Sequence, residues 1–235
     1  MALQPSGQIT LSDIQDEFGG ANPIGMSEYY RGGAYTTSNN TNVPTSGAIS
    51  VSDFYSATAA VAVTYELIGG GGGGAGGGNP PNNGFAGGTT TLSGSGFTTQ
   101  TSSGGAGGAA YVYASTAGEA SFYGAGGAQG ANSGSGNQTD GGDAPSTSYG
   151  AGGGGGGSRF DGYAGSGGEA ATRVSGSQNV TPGTQLTVTV GAKGVFGTGG
   201  LTDGGYGAAG YVKITVGGVA TEYTTAGTYT YTVPS

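Results

Sequence analysis

The sequence predicts a mainly β protein with much irregular structure: a small N-terminal module with short helices, then a glycine-rich body of packed polyglycine-II-like helices bracketed by antiparallel strands. Three observations predict it. Glycine supplies 59 of 235 residues and proline 8, above the roughly 25–30% at which an aperiodic chain is read as low-complexity. Only 8% of residues are charged, yet there are 15 Tyr and 7 Phe, whereas disordered chains are charged and poor in aromatics. The segments outside the glycine runs alternate apolar and polar residues with the period of a strand.

The N-terminal module spans residues 1–57, and the glycine-rich domain, with strands at both ends, spans 58–235. Within the module a short pattern recurs. Ile9-Thr10-Leu11-Ser12-Asp13-Ile14-Gln15 returns as Ile24-Gly25-Met26-Ser27-Glu28-Tyr29-Tyr30, and again as Ile49-Ser50-Val51-Ser52-Asp53-Phe54-Tyr55. Serine caps a helix start, and the acid after it sits at the positive end of the helix dipole. Each copy is therefore an extended segment entering one or two helical turns. The spacing of Ser12 and Gln15 predicts a capping box, with a helix from Ser12 to Phe18 that stops at Gly19-Gly20. The apolar residues of the copies serve either as a local core or as a docking face.

The strands follow from alternation. Val61 to Ile68 and Gln185 to Val190 are β-rich, Tyr211 to Val216 and Val219 to Tyr223 flank Gly217-Gly218 as a two-residue hairpin, and Tyr229 to Val233 alternates Tyr or Val with Thr. The last strand is expected beside Val61–Ile68 in one sheet. Between the strands lie glycine clusters, within 69–78, 104–108, 124–130, 150–157 and 191–210, with no Gly-X-Y period, which excludes collagen. Extended three-fold helices without side chains can approach and bond laterally, which would offset the entropy that glycine loses on ordering. Tyr111, Tyr113, Phe122, Tyr123, Tyr149, Phe160 and Tyr163 are expected to cover the faces of that stack.

Composition also limits function. The net charge is −8 with five Lys and Arg in all, so nucleic acid and anionic membrane are not expected partners. Histidine and cysteine are absent, which removes Ser-His-Asp and Cys-His catalysis, thiolate sites and the commonest metal ligand. No enzymatic role, cofactor or metal is expected. Asp140 with Asp143 is too small a set for calcium, and nothing positions Asp161 against Glu169 as a glycosidase pair. The G-x-G-x-x-G strings follow from glycine abundance and open no nucleotide-binding helix. The N-terminus has no basic segment followed by an apolar one, so a cytoplasmic origin is expected.

Some stretches resemble a known family. Ser6 to Ile14 with Glu17-Phe18-Gly19-Gly20 and Ser27 to Gly33 is similar to an N-terminal module of tailed-phage fibre and virion proteins. Tyr65-Glu66-Leu67-Ile68 before its glycine run, and Leu186 to Ala192 with Gly210 to Ile214, resemble glycine-rich domains of phage tail proteins. The resemblance extends to distal tail-fibre adhesins with polyglycine-helix tips, and it implies a virion location on the tail fibre after assembly in the host cytoplasm. Its implied partners are other virion fibre proteins and a host-cell surface receptor, a glycan or an outer-membrane protein, with a homo-oligomer as a further possibility.

Glycan recognition favours aromatic faces with amide and charged groups on rigid loops. This selects Asn82, Asn83, Phe85, Asn137, Gln138, Arg159, Phe160, Asp161 and Tyr163 as receptor-binding residues. Ile14, Phe18, Tyr29, Tyr30, Arg31, Phe54 and Tyr55 are the candidates for virion attachment. The alternatives are a non-receptor structural virion component, such as a fibre adaptor, cap or decoration protein, and an ice-binding glycine-helix protein with a flat threonine face.

Overall fold

Each of the module's repeat copies begins a short helical turn, although the first is capped at Thr10 rather than at Ser12. The computed structural model describes residues 2–37, 40–112, 114–132, 137–158 and 163–234. Helix α1 spans Leu11–Phe18, with Thr10 Oγ1 accepting from the Asp13 amide while the Asp13 carboxylate accepts from the Thr10 amide. The pairing of hydroxyl with acid three residues on, rather than Ser12 with Gln15, makes the capping box. Gly19 ends the helix at φ 81, a conformation that favours glycine. The later copies form 3₁₀ turns at Met26–Tyr29 and Val51–Phe54, and Ser50 with Asp53 repeats the capping box. Thr10→Ala is expected to lower stability by about 1 kcal/mol, read from the midpoint of chemical denaturation.

Ile9, Ile14, Phe18, Tyr29, Val43 and Phe54 bury into one core of the module, separate from the core of the strands. Phe54 meets Phe18 and Tyr29 edge-on, at 6.0 and 6.2 Å between ring centroids.

The strands are β1 Val61–Ile68, β2 Thr90–Gly94, β3 Phe97–Ser102, β4 Arg173–Val180, β5 Gln185–Val190, β6 Tyr211–Val216, β7 Val219–Tyr223 and β8 Gly227–Thr232. They form two antiparallel four-stranded sheets, ordered β4-β1-β6-β7 and β3-β2-β5-β8. Val61, Val63, Tyr65 and Leu67 of the first sheet share a core with Leu92, Leu186, Val188 and Val190 of the second. The alternation that fills this core leaves Thr91, Thr187, Thr189, Thr228 and Thr230 on the other face of the second sheet, where β-branched residues suit a half-exposed strand. The sheets are linked at both edges. Gln178 of β4 exchanges two hydrogen bonds of 2.8 and 2.9 Å with the backbone of Thr98 in β3, and the Tyr223 and Tyr229 rings lie 5.0 Å apart.

Two expectations are corrected here. The C-terminal strand β8 does not pair with β1. It pairs with β5 in the opposite sheet, because alternation identifies which side of a strand is buried but not which strand lies beside it. The fold class also changes. Among the described residues the regular structure is mostly strand in two antiparallel sheets with one α-helix, and no packed polyglycine-II helices are evident. Strands β2, β3 and β4 fall within the range read as glycine body. Their Thr, Ser, Gln and Gly content carries little strand signal.

The glycine segments are irregular and bond laterally rather than within themselves, which is the backbone satisfaction that sequence reasoning assigned to helix packing. Along the run from 69 to 78 the donors change partner in rotation. Gly70, Gly73 and Gly76 donate to Gly88, Phe85 and Asn82, while Gly71, Gly74 and Gly77 donate to Ala208, Gly205 and Thr202. Gly72, Ala75 and Gly78 donate to Glu169, Ser166 and Tyr163. This run and residues 151–158 are buried throughout. A Cβ on Gly71 would lie 1.9 Å from the Ala151 carbonyl oxygen, so no other residue fits.

The registers place these parts in line. Ile68 sits opposite both Arg173 and Tyr211, so β1 delivers the chain into the glycine segments at the end where β4 and β6 receive it back. Val61 sits opposite Val180 at the other end, where Asn179 and Ala62 line a crevice with Asp53 and Tyr55 of the module. The order is module, strand sandwich, glycine segments, then the loops that join those segments.

A polar latch holds one of these connections onto the first sheet. Glu66 Oε1 accepts from Arg173 Nε at 2.7 Å and from the Tyr123 hydroxyl at 2.8 Å. Arg173 also lies 4.3 Å over the Phe122 ring. The Tyr123 and Tyr149 rings pack on Tyr211 and cover Ile68. The Arg173 guanidinium holds the Glu66 carboxyl below its ordinary 4.5, with the Tyr123 hydroxyl adding to the effect. Burial pushes the Tyr123 hydroxyl up to about 12. Glu66 therefore contributes stability that is present above pH 4.5 and fades as pH falls through its lowered folded value. Tyr123 contributes stability that is complete below pH 10 and lost as pH rises through about 12. Glu66→Gln is expected to lower the melting temperature at neutral pH, by a margin that shrinks on acidification; a margin independent of pH would contradict this assignment.

Candidate receptor-facing loop end

The loops at the far end of the glycine segments are tied to one another by their own backbones. The Gly78 amide donates to the Tyr163 carbonyl at 2.6 Å. Val112 and Ala164 exchange hydrogen bonds of 3.1 and 2.8 Å. Asn83 Oδ1 accepts from the Ala110 amide at 2.7 Å, and Asn132 Oδ1 accepts from the Ser158 amide at 2.9 Å. Thr202 Oγ1 donates to the Gly157 carbonyl at 2.6 Å. Loops from distant parts of the sequence thus form one surface on a bonded frame, which suits recognition.

The residues selected from sequence divide between this surface and other places. Asn82 and Asn83 are exposed at it, Asn82 Nδ2 donating to the carbonyl and hydroxyl oxygens of Thr198. Tyr163 is 45% exposed. Asn137 is exposed and Gln138 half-buried in the connection after Ala131. Phe85 is 64% exposed but lies on the flank, its amide bonded to the Val195 carbonyl midway along the glycine segments. Arg159, Phe160 and Asp161 lie outside the described residues, as does Tyr113.

Sequence reasoning missed two members of the surface. Tyr111 was assigned to covering a glycine face, yet it is 58% exposed, and its ring meets that of Tyr163 edge-on at 5.0 Å. Leu201 is 50% exposed, and its amide would lie 2.7 Å from a Cβ on Gly78. The available signal was position: Tyr111 lies three residues after the glycine cluster ending at Gly108, where a laterally bonded segment must turn.

Arg173 is paired with Glu66, Lys213 with Glu222 at 3.6 Å, Lys193 lies 3.7 Å over the Tyr206 ring, and Arg31 bonds to the Thr41 carbonyl in the module. The carboxylates of Asp140 and Asp143 accept from the amides of Asp203 and Tyr206, each at 2.8 Å. They thus join glycine segments rather than facing each other across a site. Among the described residues no group of three His, Cys, Asp or Glu could hold a metal ion, and no helix is long and apolar enough to cross a membrane.

The residues proposed for virion attachment divide by burial. Ile14, Phe18, Tyr29 and Phe54 are buried in the module's own core, where the repeat supplies internal packing. Tyr30, Arg31 and Tyr55 are half-buried, with both tyrosine hydroxyls bonded to glycine carbonyls of the module.

Comparison with family models, curated proteins and solved structures finds no match.

Proposed function

We propose that this chain is a virion surface protein, the adhesin at the tip of a phage tail fibre, which binds a host-cell surface receptor through the loop end. The observation that carries the reading is the linear order of module, sandwich, glycine segments and loops, which leaves opposite ends for attachment and recognition. The exposed aromatics and amides at the loops support it, as does the resemblance of the N-terminal stretch to fibre modules. This is a binding function without catalysis, which fits the absence of His and Cys from the sequence.

The alternative is a structural component of the fibre whose loop end is buried against another subunit. Exposed Tyr111, Tyr163 and Leu201 would serve that role as well. The test is binding of the purified, fluorescently labelled full chain to a panel of bacterial strains. The adhesin reading expects saturable binding to a subset of strains. A folded protein that binds no strain, and instead associates with itself or with fibre proteins, would favour the structural component.

A further inference from the structure

The Tyr111 and Tyr163 pair has the features of a built platform rather than of incidental exposure. Most large exposed side chains on a protein surface stand singly. These two rings contact each other at 64° between planes, so that each keeps a face open. Their backbones are fixed by the Val112–Ala164 bridge and by the bond from Gly78 to the Tyr163 carbonyl.

Tyr111 also adopts φ 64, a left-handed conformation that bulky residues rarely take. A glycine would hold this turn without strain, in a chain rich in glycine. The side chain at 111 is therefore retained against the preference of the backbone. The amide of the preceding residue, Ala110, donates to Oδ1 of the exposed Asn83, which puts a side-chain amide beside this turn.

We propose that Tyr111 and Tyr163 form a stacking platform for a sugar ring, so that the receptor is a cell-surface polysaccharide. An aromatic face covers the apolar C–H face of a saccharide, while the phenol hydroxyls and neighbouring amides meet its hydroxyls. Tyrosine gives this amphipathic contact at low cost in side-chain entropy. A protein receptor would favour a broader apolar patch with a buried anchor, whereas these rings are raised on a polar, amide-lined surface.

This inference rests on the adhesin reading, and the experiment separates the two. Labelled full-length protein is applied to binding strains after periodate oxidation of their glycans or protease treatment of their surface. Tyr163→Ala and Tyr111→Gly are measured alongside wild type. Glycine accepts φ 64, so Tyr111→Gly keeps the fold, which an unchanged melting temperature verifies. The expected result is loss of binding after periodate, retention after protease, and affinity at least about tenfold weaker in each variant. Binding that survives periodate and is lost on proteolysis overturns the glycan proposal and leaves the adhesin reading intact. Binding undiminished in both variants overturns the platform. A folded protein that binds no strain overturns the adhesin reading and the glycan proposal together.

Discussion

Gly71→Ala is expected to unfold the glycine segments, with a loss of more than about 3 kcal/mol. Its Cβ would lie 1.9 Å from the Ala151 carbonyl oxygen and 2.4 Å from the carbonyl carbon. Both are backbone atoms, so no rotamer change relieves the clash. The strand from which Gly71 continues and the segment it meets would have to separate. Separation breaks the bonds from Gly153 to Gly72 and from Gly156 to Ala75, leaving buried amides and carbonyls without partners. The lower chain entropy of alanine in the unfolded state returns only about 0.4–1 kcal/mol. Gly25→Ala is the control. Gly25 has φ −119, and its Cβ would meet nothing nearer than Glu28 Oε1 at 3.5 Å, so a change within about 0.5 kcal/mol is expected. Chemical denaturation of both variants, followed by tyrosine fluorescence, checks the pair.

Phe54→Ala is expected to cost about 3–5 kcal/mol and to be felt in the module first. Phe54 is fully buried between Phe18 and Tyr29, and its removal leaves a cavity lined by rigid aromatic rings. The core it belongs to is distinct from that of the sandwich. Polar ties hold the segment before β1 on the module: Glu17 Oε1 accepts from the Ala59 amide at 3.0 Å, and Asn40 side-chain atoms bond to the backbone of Thr58 at 2.8 Å. The variant should therefore melt in two steps, with the module lost at lower temperature and the sandwich near the wild-type temperature. Hydrogen exchange resolved by segment reads this directly. Simultaneous loss of protection across the whole chain would mean that module and sandwich fold as one unit.

Much of the strand framework was legible because alternation is a local signal. Val61–Ile68, Gln185–Val190 and the hairpin about Gly217-Gly218 have apolar residues at every second position, and each folds as read. Strands β2, β3 and β4 were not legible. Thr90–Gly94 and Arg173–Val180 carry few apolar residues, and their strand state depends on the neighbours they pair with, β5 and β1. The partner of β8 was illegible for the same reason. The glycine runs are expected from sequence to pack as helices, and instead they bond laterally as irregular segments. Which loops meet at the far end was only partly legible. Asn83 and Tyr163 were found from composition, while Tyr111 and Leu201 became visible only once the segments carrying them were placed side by side. The module's repeat was legible as helix starts, yet whether its aromatics face inward or outward depends on how the three copies pack, which no single copy encodes.

The central claim is that recognition belongs to the loop end and attachment to the module end. The absence of cysteine from the chain permits a direct measurement. A single cysteine is placed at Leu201, 50% exposed at the loops, or at Val219, 72% exposed in the hairpin at the module end of the sandwich. Each is coupled to a bulky polymer, and binding to bacterial cells is measured. The account predicts that polymer at Leu201→Cys blocks binding while the same polymer at Val219→Cys leaves it at the wild-type level. Binding blocked from Val219→Cys and unaffected from Leu201→Cys would place recognition at the opposite end and contradict it.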